Sequence, residues 1–406
     1  ALDRFVERLG AVFLSTPYAA ALGNIFRRKG RLLLTLLVLS TAGVMFLIVM
    51  SLISSTNLTL DNEMARRGYD FRIGFTRNQP VNQLAATALA QNGVTAAEVW
   101  YRHNATLLRE GERLQDSAGL GAQLIGLSAN SKLYRPIITN GRWIEPGDTN
   151  VIVVSGETAE KNGIQVGDAI KLNLGELGTS EWKVIGTYRV VYGGGFVIEA
   201  IYAPLEAVYK ATGIKDQGTQ VYIRTDRRTH TGIKQLSDHL RAVYESEGKD
   251  IDLYTTNISF EERDYASNQF QSVIGMFLGL AMLVATVGGI GLMGALGISV
   301  MERRREIGVM RSIGANNRQV RVIFIMEGVL QGLASWLLSI PLAFVIAQPL
   351  ARQLGQTMLK VDLDYAFSTP AVFAWLVVIL IISVLASWVP ARQAARLSVR
   401  ESLQYS

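Results

Sequence analysis

The sequence of 406 residues has no cysteine and only three histidines. Without cysteine, a water-exposed domain has no disulfides and depends on its own hydrophobic core. The histidines lie far apart and outside any HExxH pattern, which favours structural roles over metal binding for His103, His230 and His239. The sequence also lacks a P-loop and a nucleophile elbow, so it excludes nucleotide binding of the P-loop kind and gives no sign of an active site. We therefore predict no catalytic residue, metal site or cofactor in this chain.

Long apolar runs are abundant by contrast. Hydrophobic residues make up 49% of the chain and gather near its start and in its last third. Four runs each supply the roughly 20 apolar residues that cross the hydrocarbon core of a bilayer. The first run is longer than the apolar part of a signal peptide and lacks a cleavage site, so we expect it to remain in the membrane. The predicted membrane segments are 32–53, 268–300 (which includes a polar stalk), 322–348 and 370–389.

The lysines and arginines that flank these runs predict the orientation. Three basic clusters fall on one side of the four crossings, and the positive-inside rule makes that side cytoplasmic: 27–31, 303–321 and 392–400. We expect a multi-pass protein of the cytoplasmic (inner) membrane with both termini cytoplasmic. The cytoplasmic parts are then 1–31, 301–321 and 390–406, and the outer parts are 54–267 and 349–369. Because these clusters explain the net charge of +6, no nucleic-acid partner is predicted.

The outer segment 54–267 reads as a mixed α and β domain. We predict helices after Pro80, over 157–162 and through the apolar stripe that ends at Val243. The predicted strands are 97–108, 151–155, 169–174, 182–188 and 220–224. This order suits two αβ subdomains. The polar segment 259–271 contains neither proline nor glycine, so it is expected to join the second membrane run as one long helix.

Two segments leave alternatives open. Residues 19–31 are either an interfacial amphipathic helix or simply charges that set the topology. The three glycines Gly193 to Gly195 are either a plain loop tip or part of a ligand site.

The charged segment between the second and third runs is the most informative part of the chain. Ile307, Met310 and Arg311 recur at helical spacing from Arg303 and Arg304, which predicts a short amphipathic helix. One side of that helix is expected to meet a partner, with arginines facing lipid headgroups or acidic side chains. A chain that only had to span a membrane would not need such a connector.

Polar, small and cyclic residues inside the apolar runs carry further predictions. Glu327 is an intramembrane acid that serves either proton coupling or a polar packing contact. Pro341 and Pro349 are expected to kink or end the third membrane helix, and Pro390 marks the exit of the fourth. Close helix packing is predicted at a series of glycines: Gly275, Gly279, Gly288, Gly291, Gly294 and Gly297.

Taken together, these motifs resemble the FtsX/MacB-type (type VII, mechanotransmission) permeases of ABC transporters. The strongest match is the connector sequence from Glu302 to Ala315, ERRREIGVMRSIGA. The other matching motifs in the membrane part are Asn24 to Arg31, Glu327-Gly328, Pro390 to Arg396 and Glu401-Ser-Leu403. In the outer domain the matching motifs are Gly141-Arg-Trp143, Val151 to Ser155 and Gly163 to Asp168, similar to the MacB periplasmic core.

The resemblance implies a polytopic α-helical membrane protein with four transmembrane helices and a mixed α+β extracytoplasmic domain of MacB periplasmic-core type. It implies a non-catalytic permease subunit that works with a separate cytoplasmic ABC ATPase dimer, which carries the ATP and Mg²⁺. The ATPase is expected to dock on Glu302, Arg303, Arg304, Arg305, Glu306, Ile307, Gly308, Met310, Arg311 and Gly314. A second ATPase contact is expected at Arg392, Arg396 and Glu401.

Membrane lipids and a second four-helix permease unit are the other implied partners. That unit is expected in the same full-length chain, of which this sequence would be the C-terminal half; a homodimer is the alternative. The implied function is export or extraction of a lipid, lipoprotein, peptide or drug. The alternative is a signalling device that activates an outer enzyme or sensor without transport. An apolar cleft in the outer domain or between the helices would favour export.

Overall fold

The computed structural model describes residues 29–109, 111–115, 121–189, 199–358 and 362–397. In chain order the elements are α1 (Lys29–Arg66), β1 (Phe71–Pro80), α2 (Val81–Leu89), β2 (Val94–Arg109), β3 (Glu112–Arg113), β4 (Ala122–Leu127), β5 (Ile138–Gly141), β6 (Val151–Ser155), α3 (Gly156–Lys161), β7 (Ala169–Asn173), β8 (Thr179–Tyr188), β9 (Glu199–Pro204), α4 (Leu205–Thr212), β10 (Gln217–Thr225), α5 (His230–Ser246), β11 (Ile251–Ile258), α6 (Ser259–Glu302), α7 (Arg304–Ser312), α8 (Asn317–Met358) and α9 (Thr369–Ala394).

These elements form two compact units. The membrane unit consists of the chain up to Thr56, Gln271–Ala351 and the chain from Asp364 onward. The sheet unit consists of Asn57–Phe270 and Arg352–Leu363. Four helices, α1, α6, α8 and α9, are long and apolar enough to cross a membrane, as the four runs predicted. The expected stalk is also helical, since α6 is continuous from Ser259 to Glu302.

The helices extend farther than the apolar runs. Pro341 and Pro349 both lie inside α8, which continues to Met358, so the prediction that they end the helix is wrong. Helix α9 likewise passes Pro390 and ends at Ala394. A proline removes one backbone donor, whereas leaving the helix within lipid would expose many unpaired backbone groups, so the helix continues. The expected loop 349–369 is consequently helical over its first half.

Close contacts between helices of the membrane unit occur at several glycines, one of which is among the predicted six. A Cβ atom on Gly328 would lie 1.8 Å from Ser387 Oγ, and one on Gly332 would lie 2.1 Å from Ser383 Oγ. Helices α8 and α9 therefore approach each other through small residues, as helices in lipid commonly do. Of the six glycines predicted on α6, Gly288 contacts Leu39, and the other five have no neighbour within 4 Å among the described residues, so their packing against another helix stays a prediction.

The sheet unit contains two αβ lobes that share the long strand β2. The first half of β2 pairs with β10, in a sheet whose order is β11-β1-β10-β2. The second half pairs with β4 and β7, and β9, β6, β8 and β5 follow β4 across the sheet. Helices α2 and α5 cover a core around Phe71 and Leu240 in the first lobe. Helices α3 and α4 cover a core around Trp182 and Val208 in the second, so the expected two subdomains are present.

Local sequence signals set both ends of α3. Ser155 is the N-cap that precedes the helix, and its hydroxyl accepts a hydrogen bond from the Thr158 backbone N–H at 3.1 Å. It ends before Gly163, which has a φ of +60°. The segment 19–28, the Gly193–Gly195 loop and Glu401 lie outside the described residues.

Candidate functional site

The connector is the short helix α7, and its inner face is buried against the membrane unit. Ile307 is 0% exposed. Its side chain belongs to a core with Val300, Val320, Phe324, Ala391 and Ala394, and Met310 packs partly against that core. Ile307 and Met310 were both predicted to dock a partner. The side chain of Ile307 is instead buried between α7, α8 and α9, whereas Met310 is only partly buried, so docking at Met310 stays a prediction.

Arg303 joins the entrance of α7 to α8. Its guanidinium Nη1 lies 3.3 Å from Glu327 Oε2, and its Nε lies 2.9 Å from Glu306 Oε2. The same group lies over the Phe324 ring, 5.5 Å from the centroid. The side chains of Arg303 and Glu327 are only 15% and 6% exposed, so water screens this ion pair weakly. The geometry gives Glu327 a polar packing contact, the second of the two roles considered for it.

Arg311 joins α7 to the end of α9. It donates hydrogen bonds to the carbonyl oxygens of Ala395 and Leu397 and to Asn317 Oδ1. The carbonyls at the C-terminus of a helix have no partner within the helix, and a cation there also complements the helix dipole. Arg311 therefore caps the last helix from within the connector.

A tight turn ends α7, and a capping pair starts α8. Gly314 has a φ of +100°, which only glycine adopts without strain, and it follows the last turn of α7. The next helix begins with a reciprocal pair, in which each of Asn316 and Gln319 accepts from the other's backbone N–H, at 2.8 and 2.9 Å. Gly314 is thus required by the turn.

The outer face of α7 is exposed and combines cationic with apolar side chains. Val309 and Ile313, four residues apart, are 49% and 82% exposed and form one short apolar ridge. The predicted docking residues that are exposed are Glu302, Arg304, Arg305, Glu306, Gly314, Arg392 and Arg396. Sequence reasoning missed Val309 and Ile313. The signal was their i, i+4 spacing within an otherwise charged segment.

This surface suits one kind of partner. An apolar ridge beside arginines matches a groove whose floor is apolar and whose rim carries carboxylates. Arg303, Ile307 and Arg311 attach α7 to α8 and α9. No cluster of potential metal ligands occurs among the residues that the structure describes.

The sheet unit contains a cavity of about 620 Å³. Its lining includes Arg109, Asp168, Lys171 and Glu181, and Arg109 Nη2 lies 2.5 Å from Asp168 Oδ2. Because these four lining residues are charged, the cavity is not the apolar cleft that would favour export.

Two regions of the chain match models of known protein families. The family model of the MacB-like periplasmic core domain matches residues 32–242, more than half of the chain. The model of the FtsX-like permease C-terminal domain matches residues 274–399. The second match contains α7, α8, α9 and the remaining described residues after α9.

Individual relatives agree with these matches. An uncharacterized ABC transporter permease of Methanocaldococcus jannaschii is 25% identical over 275 residues, which cover 66% of this chain and 65% of that protein. The pyoverdine export ATP-binding/permease protein PvdT of Pseudomonas putida is 32% identical over 139 residues, 34% of this chain and 20% of that protein. The macrolide export ATP-binding/permease protein MacB of Hahella chejuensis is 26% identical over 230 residues, 56% of this chain and 34% of that protein.

A solved structure also resembles part of the chain. The crystal structure of the periplasmic region of MacB from Actinobacillus actinomycetemcomitans matches with 13% identity and a TM-score of 0.35, over 52% of this chain and 98% of that one. The chain spans 65% of the archaeal relative and about a third or less of the two export proteins. From the two family matches, we conclude that this chain belongs to the FtsX/MacB-type permeases of ABC transporters.

Proposed function

We propose that this chain couples ATP hydrolysis by a separate cytoplasmic ABC ATPase dimer to movement of its extracytoplasmic sheet unit. The coupled process would be export or extraction of a lipid, lipoprotein, peptide or drug. The ATPase would supply the ATP site and Mg²⁺, because this sequence has no P-loop.

The observation that carries the proposal is the two-sided construction of α7. Its outer face offers Arg304, Arg305, Val309 and Ile313 to a partner, while its inner face is buried in the chain's own core. A helix that only linked two membrane spans would gain nothing from exposing Ile313 at 82%. Exposed apolar side chains beside charged ones are typical of protein-binding sites.

The proposed topology places this surface and both termini in the cytoplasm, as the basic clusters predict. Lipid, or a second four-helix unit, would cover the apolar side chains that the membrane helices expose, such as Met276, Val345 and Leu385. We propose a second unit in the same full-length chain, with a homodimer as the alternative. Arg392 and Arg396, exposed at the end of α9, would provide the second ATPase contact, together with Glu401.

Charge reversal of Arg304 and Arg305 tests the docking surface. The tagged chain is co-expressed with the ABC ATPases of its source organism, and vanadate-sensitive ATP hydrolysis that co-purifies with it is measured. The R304E/R305E variant should show at least tenfold less co-purifying ATP hydrolysis than the wild type, while its membrane insertion stays normal. The matched control is R227E/R228E, an adjacent exposed arginine pair in the sheet unit, which should behave like the wild type.

Co-purification of the ATPase by R304E/R305E at wild-type strength would refute docking at this face. A chain that retains the ATPase and activates an outer enzyme on ATP addition, without moving any cargo, would replace export by signalling.

The apolar ridge gives a second, independent test. Burying a Val or Ile side chain contributes about 1.5–3 kcal/mol, so V309S/I313S should weaken ATPase association by at least tenfold. The thermal unfolding midpoint should fall little, because Val309 is about half exposed and Ile313 is largely exposed. A large drop in that midpoint would show that the ridge supports the fold instead.

A further inference from the structure

We propose that Glu262 is a positioning residue that fastens the stalk, here defined as residues 259–270 of α6, to the β-sheet of the sheet unit. Its role is to make the stalk and the sheet move as one body. The inference rests on the proposed function only in that the movement is driven by an ATPase; the fastening itself is a property of the sheet unit.

Two arginines from the start of the sheet unit converge on this one carboxylate. Arg72 Nη2 lies 2.9 Å from Glu262 Oε1, and Arg67 Nη1 donates to Glu262 Oε2. Arg67 directly follows α1, and Arg72 lies in β1, the strand next to β11. Glu262 therefore links the first turn of α6 to both the end of α1 and the sheet.

Arg72 is held in place by a further contact. Its Nε donates to the Thr255 carbonyl oxygen at 3.2 Å, across the β1–β11 pairing. The backbone adds to the same joint, because Ser259 N–H donates to the Asp70 carbonyl at 2.9 Å and Ser259 Oγ to the Tyr69 carbonyl at 3.1 Å. The stalk thus begins at a point that is hydrogen-bonded both to β1, through Arg72, and to the two residues that precede β1.

The surroundings of the joint are dense and aromatic. Tyr69 packs edge-on against Tyr222, with ring centroids 4.8 Å apart, and Tyr222 stacks on Trp100 at 3.7 Å. Burial raises the pKa of Tyr222 to about 12. An ion pair beside such a cluster is screened less than one in water. Removal of the Glu262 carboxylate should therefore loosen the attachment of the stalk to the sheet.

Other ion pairs of the stalk are on the surface. Glu261 binds Lys234 at 2.8 Å, but their side chains are 45% and 57% exposed, whereas those of Glu262, Arg67 and Arg72 are 27%, 18% and 25% exposed. Exposed pairs contribute little because water and salt screen them. Glu261 is therefore the matched control, since it is an adjacent carboxylate with a single exposed partner.

This sequence contains no cysteine, so two introduced cysteines can be labelled selectively in the purified chain before the ATPase is added. Spin labels are placed at Tyr265→Cys in the stalk and Lys210→Cys in α4, both exposed, and the labelled chain is then combined with its ATPase. The distance distribution between them is measured without nucleotide. Then the change in mobility of the label at position 210 on addition of ATP and vanadate is recorded.

We expect E262Q to broaden the distance distribution at least twofold and to reduce the nucleotide-driven mobility change at least threefold, with ATPase co-purification unchanged. E261Q should match the parent in all three readouts. E262D, which keeps the charge, should restore most of both losses, and this rescue distinguishes fastening from general misfolding.

A distance distribution of E262Q equal to that of E261Q would overturn the proposal. A failure of the proposed function gives a different result. The parent chain would then show no ATPase association or no response to nucleotide. The distance measurement without nucleotide would still decide whether Glu262 fastens the stalk. An E262D variant as loose as E262Q would also count against the ion pairs.

Discussion

Removal of the Glu327 carboxylate tests whether the connector is anchored by its buried ion pair. In the structure Glu327 is 4% exposed, and Arg303 Nη1 lies 3.3 Å from its Oε2. Deleting one partner of a buried pair typically costs about 3–5 kcal/mol, because the other charge is left buried without compensation. Arg303 keeps Glu306 at 2.9 Å and is 15% exposed, so it can recover part of this loss. We expect E327A to lower the free energy of unfolding by about 2–3 kcal/mol.

The double variant R303M/E327M separates an ion pair from a simple packing contact. Replacing both members of a buried pair by apolar residues of similar size is often nearly neutral, so this variant should lie within about 1 kcal/mol of the wild type. Unfolding is followed in detergent by tryptophan fluorescence, because Trp336 and Trp375 lie in α8 and α9. E327Q, which keeps the size and the acceptor oxygen but loses the charge, should be intermediate.

Two results would refute this reasoning. If E327A unfolds within about 0.5 kcal/mol of the wild type, the pair does not anchor the connector. If R303M/E327M is as unstable as E327A, the charge on Arg303 is not what makes the single variant unstable. Full stability of E327Q combined with loss of transport would point instead to proton coupling, the other role considered for Glu327.

Two further predictions concern other parts of the chain. G328L should destabilise the membrane unit by about 1–3 kcal/mol in the same assay, because its side chain would overlap Ser387, whereas G291L, with nothing within 4 Å, should be tolerated. A G328L protein with the wild-type melting curve would contradict the close packing of α8 on α9. Hydrogen bonding to Arg142 holds the pKa of Asp148 below its ordinary value, so this pair stabilises the protein at neutral pH and the benefit is lost as the pH falls through the folded-state pKa. The unfolding midpoint of D148N should therefore be slightly below that of the wild type at pH 7 and should converge with it well below pH ~4; a constant difference at all pH values would contradict this pairing.

The two prolines of α8 show where local rules give the wrong answer. Proline usually ends a helix in water, where the released carbonyl is hydrated at little cost. In lipid the backbone has no such alternative, and α8 continues through Pro341 and Pro349 to Met358. Of the two outcomes expected for these prolines, a kink or an end of the helix, the structure therefore excludes the end.

The glycines and the connector show a second limit. Glycine positions on α6 were visible in the sequence, but the neighbouring helices decide which surface meets another, and tight contacts occur at Gly288, Gly328 and Gly332. Similarly, Ile307 and Val309 are both apolar residues of one amphipathic helix. Only the packing of α8 and α9 makes the first buried and the second exposed.

By itself, the sequence determined the four apolar helices, the continuous stalk and the family, because each of these depends on residues that are close along the chain or on motifs with fixed spacing. The alternation of strands and helices in the sheet unit was also largely readable, since turn glycines such as Gly163 and caps such as Ser155 act locally. Only the tertiary structure shows that Arg311 caps the end of α9 and that Arg303 pairs with Glu327. It also shows that Glu262 forms ion pairs with Arg67 and Arg72. Those contacts join residues 24 to 195 positions apart, and no local pattern reports which distant side chain will supply the opposite charge or the free carbonyl.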